Sequence, residues 1–394
     1  MSSPLKSESK DNDDNESEFE TWDELDIKTD LLRGIYNYGF EKPSPIQRKA
    51  IRPIIEGKDI IAQAQSGTGK TATFTIGALQ LINLDNTDPQ ILVLSPTREL
   101  AAQTALVMEG IGSMMSGLIV KTYYGGMSTD NFNRFSSKTK EHVICGCTGK
   151  IYDMIRRNTI RTTSIKLVIL DEADEMLADG FRDQVHNILQ YLNENVQIAL
   201  FSATLPSNIF TIVNTFMRNP IKIEVKTEML TLEGISQYCV AVDSDAQKYA
   251  TIKHIFSFIS LSQCIIYCNS VKRVYELYEA MLEDNFPVCC IHSDMDKHNR
   301  EKAFNDFKSG SCRVLISSNV TARGIDVQQV STVINFDVPK CVHSYLHRIG
   351  RSGRWGRKGT AVNLVARYDV DKIREIESYY SCQIKVMPAN LDLL

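Results

Sequence analysis

The chain has 394 residues, 43% of them hydrophobic, and a formal net charge of −4. This length predicts two domains, because a single core rarely grows beyond about 250–300 residues. The charge excludes a global basic field, so a nucleic-acid site must be a local patch. Ten cysteines, with no Cys-x-x-Cys pair and no signal-peptide pattern, favour buried thiols in a reducing, intracellular compartment. No apolar stretch reaches transmembrane length, so we expect no membrane partner.

The chain divides into a tail and two similar halves. Residues 1–18 are mostly Ser, Asp, Glu, Asn and Lys, which predicts a disordered acidic tail. Strand-like and helix-like segments alternate over 19–226, which predicts a mostly parallel sheet with helices on both faces. The stretch from Ile221 onward is lightly patterned, and we place the linker at 227–234. The alternation restarts over 235–394 as a second α/β domain. The predicted strands are 58–63 (a turn and a short strand together), 90–95, 118–124, 142–145, 167–170, 197–201, 264–268, 288–292, 313–317, 332–335 and 361–365.

An acidic cluster follows the buried strand at 167–170. Asp171, Glu172 and Asp174 come where that strand should end. At the carboxyl edge of a parallel sheet, where α/β proteins hold ligands, such carboxylates can hold a hydrated Mg²⁺. The cluster alone is equally consistent with a helix start, where acidic residues are favoured.

A glycine loop decides between these two interpretations. Residues 67–71 (GTGKT) lie between a strand and a helix, which is the context of a phosphate-binding P-loop. Its backbone N–H groups can converge on phosphate oxygens. Lys70 would reach the β- and γ-phosphates, and the Thr71 hydroxyl would bind Mg²⁺. Ala64 stands where the strict motif has glycine.

The second half has no P-loop but carries a dense cationic stretch over 347–358. It could be a solvated loop or a general nucleic-acid patch. Arg351 and Arg354 lie three residues apart, so in a helical turn they would face the same way. Reaching across a cleft to a γ-phosphate held by Lys70, they would act as arginine fingers. ATP would then complete its site only on domain closure, and hydrolysis would reverse it.

Gln47 and the segments 65–71, 96–100, 171–174, 202–204, 322–326 and 347–354 occur in this order. The set resembles the motifs of the DEAD-box ATP-dependent RNA helicases, and the resemblance extends from Trp22 to the C-terminus. It implies two tandem RecA-like domains, ATP with Mg²⁺ as cofactors, and RNA as partner. Residues 30–36 and 231–235 resemble the translation-initiation-factor-four-A group. Ser95 and residues 387–390 are closer to its fungal nucleolar member, which acts in small-subunit ribosomal RNA maturation.

This finer resemblance implies a monomer of the nucleus and nucleolus that acts on pre-ribosomal RNA. A protein partner of the MIF-four-G-like type could activate it. The alternative is a cytoplasmic role in translation initiation on messenger RNA.

The resemblance also implies roles around the nucleotide. Gln47 would read the adenine edge, and Asp326 would reach the ribose hydroxyls. Thr71 and Asp171 would hold Mg²⁺, while Glu172 would activate the attacking water. The implied nucleotide-binding set is Trp22, Phe40, Gln47, Ser66, Gly67, Thr68, Gly69, Lys70, Thr71 and Asp326. The implied catalytic set is Lys70, Asp171, Glu172, Arg351 and Arg354.

On the RNA side, the resemblance implies a grip on phosphates and 2′-hydroxyls without base readout. The implied RNA contacts are Pro96, Thr97, Arg98, Gly125, Gly126, Gly149, Lys150, Ser318 and Arg323. The residues that would couple ATP to RNA are Asp174, Ser202, Thr204 and His347. Taken alone, Thr97 or Ser318 would be interpreted as a strand-end cap.

The chain departs from the family pattern at three places. Residues 147–150 (CTGK) replace Thr-Pro-Gly-Arg, Lys297 replaces a glutamine ahead of Arg300, and Asn319 replaces an aspartate. All three fall on the RNA side or its coupling network. We therefore predict an intact ATP site with an altered RNA grip.

Three functions remain open at this point. The first is an RNA-stimulated ATPase that locally opens short duplexes. The second is an ATP-gated RNA clamp that seldom turns over. The third, a P-loop ATPase acting on DNA or protein, explains Lys70 and Asp171 but leaves the other motifs unexplained.

Overall fold

Two seven-stranded sheets, one in each half of the chain, organise the structure. The computed structural model describes residues 19–64, 67–125, 140–177, 181–205, 209–225, 235–258, 263–321, 330–352 and 359–388. The predicted acidic tail at 1–18 and the predicted linker at 227–234 lie outside these ranges, so both stay predictions.

The first half begins with a 3₁₀ turn at Trp22–Glu24. Its strands are β1 (Ile60–Gln63), β2 (Ile91–Ser95), β3 (Val120–Tyr123), β4 (Val143–Cys147), β5 (Leu167–Asp171), β6 (Gln197–Ser202) and β7 (Ile221–Glu224). Its helices are α1 (Thr29–Asn37), α2 (Pro45–Ile55), α3 (Lys70–Leu81), α4 (Arg98–Ile111), α5 (Thr148–Arg156), α6 (Ala173–Met176), α7 (Arg182–Gln190) and α8 (Ile209–Phe216).

The second half repeats this alternation. Its strands are β8 (Ile235–Ala241), β9 (Cys264–Tyr267), β10 (Val288–Ile291), β11 (Val314–Ser317), β12 (Thr332–Asn335), β13 (Gly359–Val365) and β14 (Lys385–Val386). Its helices are α9 (Asp245–Phe258), α10 (Val271–Glu283), α11 (Lys297–Lys308), α12 (Val342–Ile349) and α13 (Val370–Tyr380). Its described residues also include two 3₁₀ turns, Asn319–Thr321 and Arg367–Asp369.

The two sheets have the same topology. The first has the order β3-β4-β2-β5-β6-β1-β7 and the second β10-β11-β9-β12-β13-β8-β14, and the strand pairs are parallel. Subtracting seven from each number of the second order gives the first order. The predicted pair of α/β domains is therefore present.

Helices cover both faces of the first sheet. Along β5, Leu167 and Ile169 belong to one buried cluster, which includes residues of α1 to α4. Val168 and Leu170 belong to a second cluster, which includes residues of α5, α7 and α8. A strand buried on both faces has no reason to alternate with polar residues, which explains its uninterrupted apolar sequence.

The lightly patterned crossing does not begin at Ile221, as the sequence suggested. Residues Ile221–Glu224 form the edge strand β7, which pairs with β1. Only Ile223 of this strand is buried, so its sequence lacks the apolar run that marks the central strands. Within the described residues, no helix is both long and apolar enough to cross a membrane.

Candidate active site

The carboxyl ends of three adjacent strands form the floor of the site. Strand β6 lies between β5 and β1, with Asp171 paired to Phe201 and Gln63 paired to Ser202. Helix α3 begins at Lys70, a short distance along the chain from the end of β1. The acidic cluster and the P-loop lysine, which are about a hundred residues apart in sequence, therefore meet at one edge of the sheet.

Gly69 joins the P-loop to the segment that precedes α2. Its φ of +99° lies in the left-handed region, which glycine adopts without strain. A Cβ at this position would lie 2.9 Å from Nε2 of Gln47 and 3.1 Å from Oγ of Ser44. Ser44 Oγ also donates to the Thr68 carbonyl at 2.8 Å, and the Ser44 N–H donates to Gln47 Oε1 at 2.6 Å. The predicted adenine-reading glutamine is thus held against the phosphate loop.

Lys70 is buried beside two carboxylates. Its Nζ lies 3.7 Å from Glu172 Oε2 and makes no hydrogen bond to a described residue. Burial raises the pKa of Asp171, and the neighbouring Glu172 charge raises it further, while Lys70 opposes the shift. The site therefore contains an unsatisfied ammonium group and crowded carboxylates, and it gains from an anion at Lys70 and from a cation at Asp171.

The acidic cluster is both a strand end and a helix start. Asp171 is the last residue of β5, and α6 begins at Ala173. Glu172 lies between them with a φ of +52°. A left-handed backbone at a residue other than glycine costs about 1–3 kcal/mol and is concentrated at functional sites. Here it accompanies a side chain directed at Lys70.

These donors suit the cofactors that the sequence implies. The carboxylates of the acidic cluster and the Thr71 hydroxyl are hard oxygen ligands, which Mg²⁺ prefers. The buried Lys70 ammonium suits phosphate oxygens. Ser66 and Asp326, predicted to contact phosphate and ribose, lie outside the described residues.

Trp22 and Phe40 have different environments. Trp22 is fully buried in the core, and its indole N–H donates to the Phe40 carbonyl at 3.1 Å. Phe40 is half-buried and packs at the border of this core. Of the two, Phe40 keeps some exposed surface, whereas Trp22 is buried and bonded to the Phe40 backbone.

The four predicted coupling residues meet across the two halves. Thr204 Oγ1 donates to Asp174 Oδ2 at 2.7 Å, and the Asp174 N–H donates to Ser202 Oγ at 3.3 Å. His347 Nε2, from α12 of the second half, lies 3.2 Å from the same Asp174 Oδ2. All four side chains are at least nine-tenths buried. This contact links the acidic segment of one half to the cationic segment of the other.

Arg351 follows α12 in a helical-type turn. The Arg351 N–H donates to the Arg348 carbonyl, and its Nε donates to the His347 carbonyl at 3.1 Å. It is 3% exposed and lies four residues after His347, close to the interface. Arg354 lies outside the described residues, so the predicted pairing of the two guanidinium groups is untested.

Arg300 and Glu99 form a second contact between the halves, to which the sequence gave no role. Arg300 Nε lies 2.6 Å from Glu99 Oε1, and Nη2 donates to Oε2 at 2.6 Å. The side chains are only 8% and 14% exposed. In the sequence, Glu99 is part of the motif segment 96–100, and Arg300 is the expected arginine after Lys297. Because the two residues are about two hundred positions apart, no local sequence pattern indicates that they pair.

Arg348 is a fully buried cation that fastens α12. Its guanidinium donates to Oδ1 of Asn269, Asn319 and Asn335 and to the Asp337 carbonyl. Every one of these acceptors is neutral, and burial lowers the pKa of Arg348 to about 10. Asn319 is one of the three departures from the family pattern. By accepting hydrogen bonds from Arg348, it helps to hold the segment that carries His347 and Arg351.

The predicted RNA contacts of the first half lie at the ends of β2, β3 and β4, whereas Ser318 follows β11 of the second half. Thr97 accepts a hydrogen bond from the Leu100 N–H at 3.3 Å and caps α4. Arg98 approaches Gly125, with its Nη2 3.4 Å from a Cβ built there. Pro96 and Ser318 are buried, whereas Gly149 is exposed. Gly126 and Arg323, together with the Lys297 side chain, lie outside the described residues.

Cys147 lies beside the interdomain ion pair. Burial and the nearby Glu99 charge raise the pKa of this thiol to about 12, against the opposing effect of Arg98 and Arg300. It occupies the N-cap of α5 without a side-chain cap hydrogen bond. The departure at 147–150 thus falls where the halves meet on the predicted RNA side.

Two family profiles match the chain. The DEAD/DEAH box helicase profile matches residues 44–212, and the helicase conserved C-terminal domain profile matches 247–356.

Full-length relatives show the same likeness. Eukaryotic initiation factor 4A of Caenorhabditis elegans is 47% identical over 94% of this chain and 92% of its own length. ATP-dependent RNA helicase FAL1 of Saccharomyces cerevisiae is also 47% identical, over 94% of this chain and 93% of its own length. Among solved structures, S. cerevisiae Dbp5 bound to RNA and ADP BeF3 superposes with a TM-score of 0.87 at 31% identity. That superposition covers 93% of this chain and 95% of the Dbp5 chain, so it includes both sheets.

Proposed function

This chain belongs to the DEAD-box family of ATP-dependent RNA helicases, which hydrolyse ATP, and from that premise we propose that it remodels pre-ribosomal RNA during small-subunit maturation. Its two parallel α/β domains are the RecA-like pair of this family. Family membership removes the third alternative, an ATPase acting on DNA or protein. The substrate, the compartment and the residue roles are proposals, argued below.

The Asp174–His347 contact carries the mechanism. It joins the acidic segment that follows β5 to the helix that precedes Arg351, at 3.2 Å and in a buried setting. An arginine beside this contact enters the first domain's site only when the domains are closed. Domain closure therefore completes the ATP site, and loss of the γ-phosphate weakens the closed state.

The ATP side divides into binding and chemistry. Gln47 and Phe40 take the adenine, residues 67–70 cradle the phosphates, and Asp326 reaches the ribose. Thr71 and Asp171 would hold Mg²⁺, which would supply charge neutralisation for the phosphate oxygens. Glu172 orients the attacking water and accepts its proton. Arg351 and Arg354 stabilise the charge that develops on the transferring phosphoryl group.

RNA lies across both domains, at strand ends other than those that form the ATP site. Arg98, Gly125, Gly149 and Lys150 supply the first domain's part, and Ser318 and Arg323 supply the second domain's part. Dbp5, which superposes well on this chain, is bound to RNA in its structure, and this supports an RNA path over both domains. Recognition through phosphates and 2′-hydroxyls leaves the base sequence unread.

The ribosomal role rests on two observations. FAL1 of S. cerevisiae matches over nearly the whole chain, and Ser95 with residues 387–390 resembles the fungal nucleolar helicase. We therefore place the protein in the nucleus and nucleolus, as a monomer that a MIF-four-G-like partner activates.

A second candidate has equal sequence support. Eukaryotic initiation factor 4A of C. elegans is also 47% identical, which favours an initiation factor or an ATP-gated clamp on messenger RNA in the cytoplasm.

Two measurements test the proposal. RNA crosslinked to the protein in cells should be enriched in 18S rRNA precursors; enrichment of messenger 5′ regions would favour the initiation factor. Phosphate release from the purified protein should be steady and stimulated by RNA, and stimulated less by a matched DNA strand. A single round of ATP-dependent RNA binding without turnover would favour the clamp.

A further inference from the structure

A hydrogen bond between two helices holds the start of α5. Thr148 Oγ1 donates to Gln184 Oε1 at 2.7 Å. Thr148 is fully buried, and Gln184 is half-buried in the first turn of α7. A Cβ built on Gly149 would lie 3.3 Å from the same Oε1. The Gln184 amide therefore covers the first two residues of α5.

The local sequence does little to fix this helix end. The N-cap residue Cys147 makes no side-chain cap hydrogen bond, although a Ser, Thr or Asp there commonly would. The first helical residue is Thr148 rather than proline, whose ring sets φ near the helical value in advance. With both local constraints missing, the direction of this turn depends on a tertiary contact.

We propose that Gln184 is a positioning residue for RNA. Its hydrogen bond to Thr148 holds the first turn of α5, and with it Gly149 and Lys150, in the orientation that grips the phosphate backbone of single-stranded RNA. The proposal rests on the proposed function, in which Gly149 and Lys150 contact RNA. It assigns to α7 a role that the sequence motifs do not include.

Apolar side chains also pack between α5 and α7. Ile151 and Ile155 of α5 and Val185 and Ile188 of α7 are buried in one cluster. Losing one hydrogen bond should leave this packing intact, so the variants should fold. A purely structural hydrogen bond would change the unfolding temperature and leave the RNA affinity of the folded protein unchanged.

The first test removes the acceptor with Gln184→Met and the donor with Thr148→Val. Affinity for a short polyuridine strand, measured with a non-hydrolysable ATP analogue, should fall by about tenfold in each, the size expected for one hydrogen bond. The double variant should be no weaker than either single variant. Thr148→Ser, which keeps the hydroxyl, should bind like wild type. Gln190→Met, at the exposed end of the same helix, is the matched control.

The second test is a rescue. Thr148→Pro removes the hydroxyl but supplies the backbone constraint locally, so it should bind RNA more tightly than Thr148→Val. Adding Gln184→Met to Thr148→Pro should cause no further loss of RNA affinity. An equal loss in both backgrounds would overturn the proposal. So would a Gln184→Met protein that melts earlier but binds RNA like wild type.

Lys150→Ala separates this inference from the proposed function. If Lys150→Ala weakens RNA binding and Gln184→Met does not, the positioning role is wrong and the RNA site stands. If neither variant changes RNA affinity, the proposed contact at α5 is itself wrong, and the positioning role falls with it.

Discussion

Arg300 of the second domain contacts Glu99 of the first through two nitrogens on one edge of its guanidinium group, Nε and Nη2, each 2.6 Å from a carboxylate oxygen. Glu99 immediately follows Arg98, a proposed RNA contact, in the first turn of α4. Among the described residues, Asp174–His347 joins the domains beside the acidic segment, and Glu99–Arg300 joins them beside the proposed RNA contact Arg98. Under the proposed function, domain closure would therefore respond to both ATP and RNA.

Removing this ion pair should uncouple RNA from hydrolysis. Truncating one partner of a buried charge pair costs about 2–5 kcal/mol, so Arg300→Gln should lower RNA-stimulated ATP turnover by about 30-fold or more. Nucleotide affinity without RNA should be unchanged. Lys302→Gln, an exposed cation on the same helix, should behave as wild type. Additive effects of Glu99→Gln and Arg300→Gln in the double variant would show that the pair does not act as a unit.

Lys70 and Glu172 should separate binding from chemistry. Lys70→Ala removes the buried ammonium and should weaken ATP binding by about 10- to 100-fold, since hydrogen bonds to charged groups contribute about 1.5–3 kcal/mol. Glu172→Gln should bind ATP and RNA yet stall hydrolysis, which traps a closed RNA complex. Equilibrium titration and single-turnover hydrolysis measure the two effects, with the exposed Glu194→Gln as control. Wild-type hydrolysis by Glu172→Gln would mean that another group positions the water.

Two glycines of the P-loop should respond differently to alanine. Both have positive φ, but a Cβ at Gly69 meets Gln47 and Ser44, whereas at Gly67 it meets no described atom within 4 Å. Gly69→Ala should therefore weaken ATP binding more than Gly67→Ala and should also reduce discrimination between ATP and GTP, because it displaces Gln47. Equal losses in the two variants would mean that backbone strain alone matters and that Gln47 is not held by this loop.

Asn319 should control the stability of the second domain through Arg348. Asn319→Ala removes two hydrogen bonds from a fully buried guanidinium and should lower stability by about 2–3 kcal/mol. Asn319→Asp should raise the thermal midpoint, because no carboxylate among the described residues hydrogen-bonds Arg348. Differential scanning calorimetry of the full chain measures both. A lower midpoint for Asn319→Asp would show that the desolvation of the new carboxylate outweighs its pairing with Arg348.

Cys147 should report domain closure through its reactivity. Its thiol has a pKa raised to about 12 by burial and by Glu99, so it stays protonated at neutral pH and its alkylation should accelerate as pH rises from 7 to 10. Iodoacetamide should label the exposed Cys341 first. ATP analogue with RNA should slow labelling of Cys147 relative to the free protein, as peptide mass spectrometry would show. Equal rates in the two states would contradict burial of this thiol by closure.

The sequence alone determined the local units. Uninterrupted apolar strands, the GTGKT loop and the acidic residues after 167–170 each reflect a short-range requirement, namely burial on two faces, phosphate binding or the end of a parallel strand. The order of these motifs was sufficient to identify the family. Edge elements such as β7 and β14 were missed, because a half-exposed strand does not need an apolar run.

Only the tertiary structure decided which distant residues act together. Pairs such as Glu99–Arg300 and Thr148–Gln184 depend on how helices and domains pack, and no local pattern records that geometry. Trp22 shows the same limit: the family resemblance implied a base contact, whereas the structure buries its side chain and bonds its indole N–H to the Phe40 carbonyl. The sequence determines the chemical groups that each side chain carries, whereas three-dimensional packing determines which residues those groups contact.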